Sequence, residues 1–265
     1  MHLGEIERWE GKQSLPKVIC LHGFLGCGKD FKIVRDNYAG HPTIIAPDFP
    51  DYSQSPTCGY SWESCIQALD KLIVAESKDA ACILLGYSMG GRIALQYALQ
   101  HADNLAGLVL VGATPGIADE KERAARKEKD IAQANMLREQ SLDDFLKHWF
   151  KQDIIRAQSQ ISEPYQSDMR RTRESNNSIA LAQSLSFLGT GSMPSAWEHL
   201  ANLHQPTLLV TGDGDEKFKT IAGNMETQLP NAQHATIKDA GHACCFEKPL
   251  AFTQALDSFL SSLID

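Results

Sequence analysis

The chain alternates short apolar runs with longer amphipathic stretches. Runs rich in leucine and β-branched residues occupy positions 17–22, 43–47, 81–86, 105–112, 207–211 and 235–238. The intervening stretches show helical spacing of their apolar positions, as in 60–76, 91–101 and 249–263. Strands that alternate with helices need crossover connections, which favours a mainly parallel, twisted sheet with helices on both faces. The almost continuously apolar strands agree, because both faces of such a sheet are buried.

Positions 117–199 interrupt this alternation with several helical patterns, many charges and no convincing strand. Twelve lysines and arginines stand against thirteen aspartates and glutamates, so this segment carries −1 and the rest of the chain −7. It holds seven of the ten arginines, at 123, 126, 138, 156, 170, 171 and 173. More than eighty residues exceed a simple crossover. The sequence therefore predicts one α/β domain with a core at 1–116 and 200–265 and an inserted helical lid at about 117–199.

Composition narrows the class of partner. The 265 residues carry a net charge of −8, which argues against a nucleic acid or an anionic membrane as partner. No stretch approaches the roughly 20 apolar residues that span a bilayer, and positions 1–13 do not resemble a secretory signal. Seven cysteines without metal-type spacing indicate reduced thiols. We expect a soluble protein without membrane insertion, cytoplasmic or in an organelle stroma, and the sequence leaves its oligomeric state open.

The segment Gly86-Tyr87-Ser88-Met89-Gly90 follows a predicted strand and opens a predicted helix. This is the nucleophile elbow of the α/β-hydrolase fold, in which a tight turn lifts a serine above the sheet edge. Small residues are needed two positions before and after the serine, because strand and helix backbones approach closely there. The predicted fold class is therefore α/β, of the α/β-hydrolase type, with Ser88 as the candidate nucleophile or base.

A serine hydroxyl needs a histidine to take its proton and a carboxylate to orient that histidine. In this fold the partners follow in the order serine, acid, histidine, on loops after later strands. Asp215 and His242 satisfy both conditions, and Asp213 is the rival carboxylate. The backbone N–H groups of Phe24, in the loop after the first long strand, and of Met89, directly after the serine, are the predicted oxyanion hole.

Positions 23–29 also match the first seven residues of a phosphate-binding loop. The eighth position, where a serine or threonine would hold magnesium, is Asp30. A carboxylate there would face the phosphates, so the sequence does not favour nucleotide binding.

Arg92 lies one helical turn after Ser88 and can share the face that overlooks the site. Arginine's planar fork suits carboxylates. The chain resembles the 2-succinyl-6-hydroxy-2,4-cyclohexadiene-1-carboxylate synthases of menaquinone and phylloquinone biosynthesis. The resemblance is carried by LHGFLG (21–26), GYSMGGR (86–92), PGIADEKERAARKEKD (115–130), HWF (148–150), ESNNSIALAQSLSFLGTG (174–191), GDGDEKF (212–218) and AGHACCFEKP (240–249).

The resemblance implies a lyase that eliminates pyruvate from a cyclohexene carboxylate bearing a succinyl side chain, with no cofactor and no metal. His242 would deprotonate Ser88, and the Ser88 oxygen would take a proton from this small polycarboxylate substrate. The family's anion-binding and site-lining positions fall on Tyr87, Arg92, Arg123, Arg126 and Trp149.

Two positions depart from the family pattern: Phe150 stands where some members have a tyrosine, and the sequence at 50–53 replaces a Gly-His-Gly turn. Two other classes of function compete with the lyase. A serine hydrolase (carboxylesterase, thioesterase or C–C bond hydrolase) would use the same catalytic residues. A non-catalytic ligand receptor on this fold would be expected to have lost one of them.

Overall fold

The computed structural model describes residues 3–49, 61–78, 80–152 and 160–263. Its centre is a seven-stranded sheet in the order β1-β3-β2-β4-β5-β6-β7. All neighbouring strands are parallel except β1, which pairs antiparallel with β3. The strands are β1 (Ile6–Trp9), β2 (Val18–Leu21), β3 (Ile44–Pro47), β4 (Cys82–Tyr87), β5 (Leu105–Val111), β6 (Thr207–Gly212) and β7 (Ala232–Ile237).

The six predicted strands are present, and the α/β-hydrolase type of sheet is confirmed. Strands β2, β3, β4 and β6 are buried at every position, as their continuous apolar sequences predicted. Strand β7 begins three residues earlier than predicted. Strand β1 was not predicted. Its sequence IERW is half polar and its residues are partly exposed, because it lies at the edge of the sheet.

Helices cover both faces of this sheet. They are α1 (Lys32–Asp36), α2 (Trp62–Glu76), α3 (Met89–His101), α4 (Glu120–Glu139), α5 (Leu142–Trp149), α6 (Tyr165–Glu174), α7 (Ser178–Leu188), α8 (Glu216–Glu226), α9 (Cys244–Glu247) and α10 (Pro249–Ser261). Successive strand residues alternate between the faces. Val18 and Cys20 pack in the cluster of α1, α9 and α10, whereas Ile19 and Leu21 pack in the cluster of α2, α3 and α8.

The segment between β5 and β6 is helical, as the sequence predicted. The described part of 117–199 contains α4 to α7 and no strand. These helices form a small hydrophobic cluster of their own, with Ala134, Phe145 and Leu185 among its members. Leu25, from the loop after β2, completes that cluster and joins it to the sheet. The helical segment is thereby packed directly over the carboxyl end of β2.

The cysteines within the described residues are all free: Cys20, Cys27, Cys65, Cys82, Cys244 and Cys245. Among the helices of the described residues, none combines the length and apolar character needed to cross a membrane.

Candidate active site

Ser88 sits in a strained turn between β4 and α3. Its backbone has φ 53° and ψ −106°, a region that residues with a side chain rarely adopt. The two flanking glycines allow this turn. A Cβ on Gly86 would lie 2.4 Å from the carbonyl oxygen of Gly90, and one on Gly90 would lie 2.1 Å from the carbonyl oxygen of Leu21. These close backbone contacts explain why small residues are needed on either side of the serine.

His242 lies between Ser88 and Asp215. Its Nδ1 atom is 2.7 Å from Oδ2 of Asp215, and its Nε2 atom is 3.0 Å from Oγ of Ser88. Asp215 and His242 are less than a tenth exposed. A carboxylate only accepts hydrogen bonds, so Nδ1–H donates to Asp215 and Nε2 accepts from the Ser88 hydroxyl. This arrangement can move a proton from the serine to the imidazole ring.

The ring of His242 fits in place because residue 112 has no side chain. Gly112 has φ +55°, and a Cβ there would lie 2.8 Å from Cε1 of His242. On its other sides the ring contacts Phe218, at 4.5 Å between centroids, and Tyr87, at 5.5 Å. The position of the imidazole therefore depends on side chains from several elements.

The two candidate carboxylates have different partners. Asp215 is the N-cap of α8, where its Oδ1 accepts a hydrogen bond from Phe218 N at 3.3 Å, leaving Oδ2 for His242. Asp213 accepts from the backbone N–H of Ala240 at 3.2 Å. Hydrogen bonds from backbone N–H groups, that of Asp239 foremost, lower the pKa of Asp213. Asp215 meets the histidine, and Asp213 braces the loop that carries it.

The loop after β2 lies against the serine. A Cβ on Gly23 would be 2.8 Å from the Tyr87 ring and 3.6 Å from Cβ of Ser88. The next residue is Phe24. Met89 is the first residue of α3, so its N–H has no acceptor within the helix. Both predicted oxyanion donors thus belong to segments that border Ser88.

His22 holds this loop in place. Its Nδ1 is 2.8 Å from the carbonyl oxygen of Gly23, and its Nε2 accepts from Phe49 N at 3.0 Å. The carbonyl partner assigns the proton to Nδ1. Burial lowers the pKa of His22, which favours this neutral form.

A cavity of about 610 Å³ opens above Ser88. The residues expected at the site from sequence that line it are Phe24, Tyr87, Ser88, Met89, Arg92, Arg126, Trp149 and His242. Two further cations line it that were not assigned to the site from sequence, Arg173 of α6 and Lys217 of α8. Lys217 lies within the segment GDGDEKF (212–218) and Arg173 directly precedes the segment 174–191, but neither segment indicates by itself that these cations face the serine.

Arg123 does not line the cavity, contrary to the expectation that it binds substrate. Its Nη1 donates to the carbonyl oxygen of Ile117 at 3.3 Å, and its Nη2 is 3.9 Å from a carboxylate oxygen of Glu120. Because Arg123 lies in the first turn of α4, its side chain reaches back to the start of the helix.

The cavity arginines are held by fixed partners. Arg92 is buried, and its Nη1 donates to the carbonyl oxygen of Leu188 at 2.6 Å. Burial, followed by the charge of Arg126, lowers the pKa of Arg92 to about 10. Asp130, almost fully buried, accepts from Nε of Arg126 at 2.8 Å and from Gly191 N at 2.9 Å. Arg92 and Arg126 are therefore positioned before any ligand binds.

Backbone amides of the segment that resembles a phosphate-binding loop donate hydrogen bonds to two carboxylates of the chain. Gly28 N donates to Oδ1 of Asp48 at 2.6 Å, and Cys27 N donates to Oδ2 of Asp30 at 3.4 Å. Asp30 borders the cavity, and burial raises its pKa to about 6. These backbone amides thus point at carboxylates of the same chain.

Of the two departures from the family pattern, one can be located. Phe150 borders the cavity, and its ring centroid lies 5.9 Å from the guanidinium carbon of Arg173. The sequence at 50–53 falls outside the described residues.

The sheet order, the strained serine turn and the buried histidine and aspartate are those of one class of protein. A family model described as alpha/beta hydrolase fold matches residues 16–249, and the chain belongs to that class. It is 31% identical over 251 residues to the 2-succinyl-6-hydroxy-2,4-cyclohexadiene-1-carboxylate synthase of Enterobacter sp. (strain 638). The match covers 94% of this chain and 93% of that protein. The chain belongs to the family of these synthases.

Two other comparisons agree. The chain is 31% identical over 262 residues to Protein PHYLLO, chloroplastic, of Arabidopsis thaliana. That match covers 91% of this chain but 15% of the plant protein. The solved structure of MenH from S. aureus has a TM-score of 0.91 and 28% identity, and the match covers 98% of this chain and 99% of that chain.

Proposed function

We propose that the chain is a carbon–oxygen lyase that eliminates pyruvate from a cyclohexene carboxylate bearing a succinyl side chain, in menaquinone or phylloquinone biosynthesis. Family membership supports the reaction. The structural observation that carries the proposal is the cavity above Ser88, which is lined by four cationic side chains: Arg92, Arg126, Arg173 and Lys217. A site for uncharged esters would not need them.

The charges of this substrate fit the cavity. Such a molecule carries three carboxylates: one on the ring, one on the succinyl chain and one on the departing pyruvyl group. Each can take a charge-assisted hydrogen bond from an arginine or lysine. Burial lowers the pKa of Lys217, with a further contribution from the charge of Arg126. Tyr87 and Trp149 supply ring surfaces beside these charges. Arg123 has no substrate contact in this proposal.

The chemistry begins with the serine proton. His242, oriented by Asp215, accepts the proton of the Ser88 hydroxyl. The Ser88 oxygen then removes a proton from the ring carbon next to the succinyl carbonyl, which breaks that C–H bond and places negative charge on the carbonyl oxygen. The negative charge then returns from the carbonyl oxygen to the ring. A further ring C=C bond forms as the C–O bond to the pyruvyl group breaks. The departing enolate takes up the proton held by His242 and becomes pyruvate, which returns Ser88 and His242 to their starting states. The reaction involves no redox change and no acyl-enzyme.

The negative charge on the carbonyl oxygen needs donors that are already in place. We assign the backbone N–H groups of Phe24 and Met89 to this oxyanion hole. Removing one such donor typically costs about 3–4 kcal/mol of transition-state stabilisation. The support for this assignment is that both segments border Ser88, and that the first N–H groups of a helix lack acceptors within the helix.

The same proposal covers organisation and compartment. We treat the chain as one domain, with a core at 1–116 and 200–265 and a lid at 117–199 from which Arg126 and Arg173 line the cavity. We place the enzyme in the bacterial cytoplasm or an organelle stroma. The free thiols of the described cysteines support a reducing compartment.

A serine hydrolase is the second candidate function, because the geometry of Ser88, His242 and Asp215 serves acyl transfer equally well. One experiment separates the two. The proposed substrate is incubated with the enzyme, and pyruvate is quantified together with the near-ultraviolet absorbance of the conjugated diene product. Elimination predicts pyruvate and diene in a 1:1 ratio, and slow turnover of p-nitrophenyl acetate. Rapid ester hydrolysis with an acyl-enzyme burst and no diene would establish the hydrolase instead.

A further inference from the structure

Glu247 is a buried carboxylate that holds the loop of His242 from both sides. It is 5% exposed. Its Oε2 accepts from Gly241 N at 2.5 Å, and its Oε1 accepts from Ala243 N at 3.0 Å. These two residues directly precede and follow His242. One side chain therefore fixes the peptide groups on either side of the histidine.

A glutamate at this position satisfies two backbone donors with one side chain. Both partners are N–H donors, so the side chain must offer two acceptors. Glutamine has one acceptor oxygen, and its amide NH₂ would face a second donor. Aspartate has two acceptors but a shorter side chain. Among the described residues Glu247 forms no ion pair, so its charge is balanced by hydrogen bonds from the backbone rather than by a cation.

A buried carboxylate without a cation is costly to maintain. An apolar side chain would fill the same volume without this cost. We therefore expect the carboxylate of Glu247 to have a role other than packing. Apart from its hydrogen bonds with Asp215 and Ser88, the His242 ring has aromatic contacts with Phe218 and Tyr87, which constrain its direction less strictly than hydrogen bonds do. The carboxylate of Glu247 fixes the backbone from which the ring projects.

We propose that Glu247 is a positioning residue for His242. This inference rests on the proposed function of His242 as the base for Ser88. By clamping Gly241 and Ala243, Glu247 keeps Nε2 of His242 at the Ser88 hydroxyl while Asp215 holds Nδ1. Its negative charge also stabilises the imidazolium that forms when the serine proton is transferred. Among the residues that the structure describes, Tyr87 of β4 and Cys244 and Cys245 of α9 interact electrostatically with Glu247, and all three are neutral in their protonated forms.

The test compares Glu247→Gln and Glu247→Asp with wild type. Glu226→Gln is the matched control, because Glu226 also accepts a hydrogen bond from a backbone N–H, that of His234 at 2.9 Å, but this N–H belongs to β7 and not to the loop of His242. Three quantities are measured: the rate at which a fluorophosphonate labels Ser88, kcat and KM for pyruvate release, and the pH dependence of kcat/KM. Thermal unfolding checks that each variant is folded.

For Glu247→Gln we expect labelling and kcat to fall about 10- to 100-fold with KM changed less than about threefold, since small misplacements of catalytic groups cost this much. The acid limb of the kcat/KM profile should move to lower pH, because loss of a nearby negative charge disfavours the imidazolium. Glu247→Asp keeps the charge, so its acid limb should stay near that of wild type even though its shorter side chain lowers kcat. Glu226→Gln should match wild type.

Unchanged labelling and an unchanged acid limb in Glu247→Gln would overturn the proposal. A Glu247→Gln variant that loses rate only in proportion to lost folded protein, with the acid limb unmoved, would also overturn the proposal. If Glu247→Gln does not fold, a displaced acid limb in Glu247→Asp would count against the role of the charge. Failure of the wild type to react with the fluorophosphonate is a separate result. It would refute the Ser88–His242 relay itself and not only the role of Glu247.

Discussion

The Nε2 atom of His242 lies 3.0 Å from the Oγ atom of Ser88, although 154 positions separate the two residues in the chain. Ser88 follows β4, Asp215 follows β6 and His242 lies beyond β7. These strands are parallel, so their carboxyl ends lie at one edge of the sheet. The topology therefore brings together the three residues of the proposed proton relay, and small changes in any of the three loops should disturb it.

The first prediction concerns the choice of carboxylate. Asp215→Asn should lower kcat about 10⁴-fold, because an amide at this position favours the wrong histidine tautomer. Asp213→Asn is the matched control two residues away. Asp213 braces Ala240 and does not touch His242. Its kcat should fall less than about tenfold. Steady-state pyruvate release measures both, and a larger loss in Asp213→Asn would reverse the assignment.

The second prediction tests the space beneath the imidazole ring. Gly112→Ala introduces a Cβ 2.8 Å from Cε1 of His242, at a φ of +55°. We expect kcat to fall about 100-fold as the ring is displaced, with a loss of about 1–2 kcal/mol in the free energy of unfolding.

Gly223→Ala is the control for this change, since a Cβ on Gly223 would meet nothing within 4 Å. Its helical position should make it slightly more stable, by about 0.5–1 kcal/mol, with normal kcat. Denaturant unfolding and kcat are the measurements. A Gly112→Ala variant with wild-type kcat would show that the ring can shift without cost.

The third prediction concerns a cation that the sequence did not single out. Arg173→Ala should lower kcat/KM for the polycarboxylate about 10- to 100-fold, mostly through KM, since hydrogen bonds to charged groups contribute about 1.5–3 kcal/mol. Turnover of p-nitrophenyl acetate should change less than about twofold, because that ester offers no carboxylate.

Arg171→Ala is the corresponding control. Arg171 lies on the same helix but is exposed and pairs with Asp168 at the surface. It should leave both reactions unchanged. Equal losses in Arg173→Ala and Arg171→Ala would indicate damage to α6 rather than loss of a substrate contact.

The fourth prediction is a pH dependence of stability. Burial raises the pKa of Asp30 from 3.8 to about 6. The folded state therefore binds this proton more tightly than the unfolded chain does. The resulting stabilisation is complete below about pH 4 and is lost as the pH rises through about 6.

Asp30→Asn removes this titration. The variant should gain about 2–3 kcal/mol of unfolding free energy relative to wild type at pH 7, and little at pH 4. Urea unfolding at both pH values measures the difference, with exposed Asp143→Asn as the control. A difference that is the same at both pH values would show that Asp30 does not titrate with folding.

Much of the fold could be predicted because its signals are local. The continuous apolar strands and the spacing of α2, α3 and α10 record burial on the sheet directly. The serine turn could be recognised because Gly86 and Gly90 stand where backbones meet. Strand β1 could not, since an edge strand buries too little to need an apolar sequence. Its pairing with β3 is a tertiary contact.

The cavity wall was predicted less completely. A side chain enters a cavity through the packing of its helix, and sequence spacing does not determine which face packs. Arg126 and Arg173 therefore line the cavity while Arg123 turns back to Ile117. Glu247 lies within the segment AGHACCFEKP, yet its hydrogen bonds to the backbone around His242 could be found only from the fold.

The most direct test of the account follows pyruvate release from the succinyl-cyclohexene substrate by wild type, Ser88→Ala and Arg92→Ala. We predict rapid release by wild type and loss of several orders of magnitude in kcat for Ser88→Ala. For Arg92→Ala we predict a kcat/KM reduced by about 100-fold or more, because a buried charged partner is removed. Brisk pyruvate release by Ser88→Ala, or no release by the wild type alongside fast ester hydrolysis, would contradict the account.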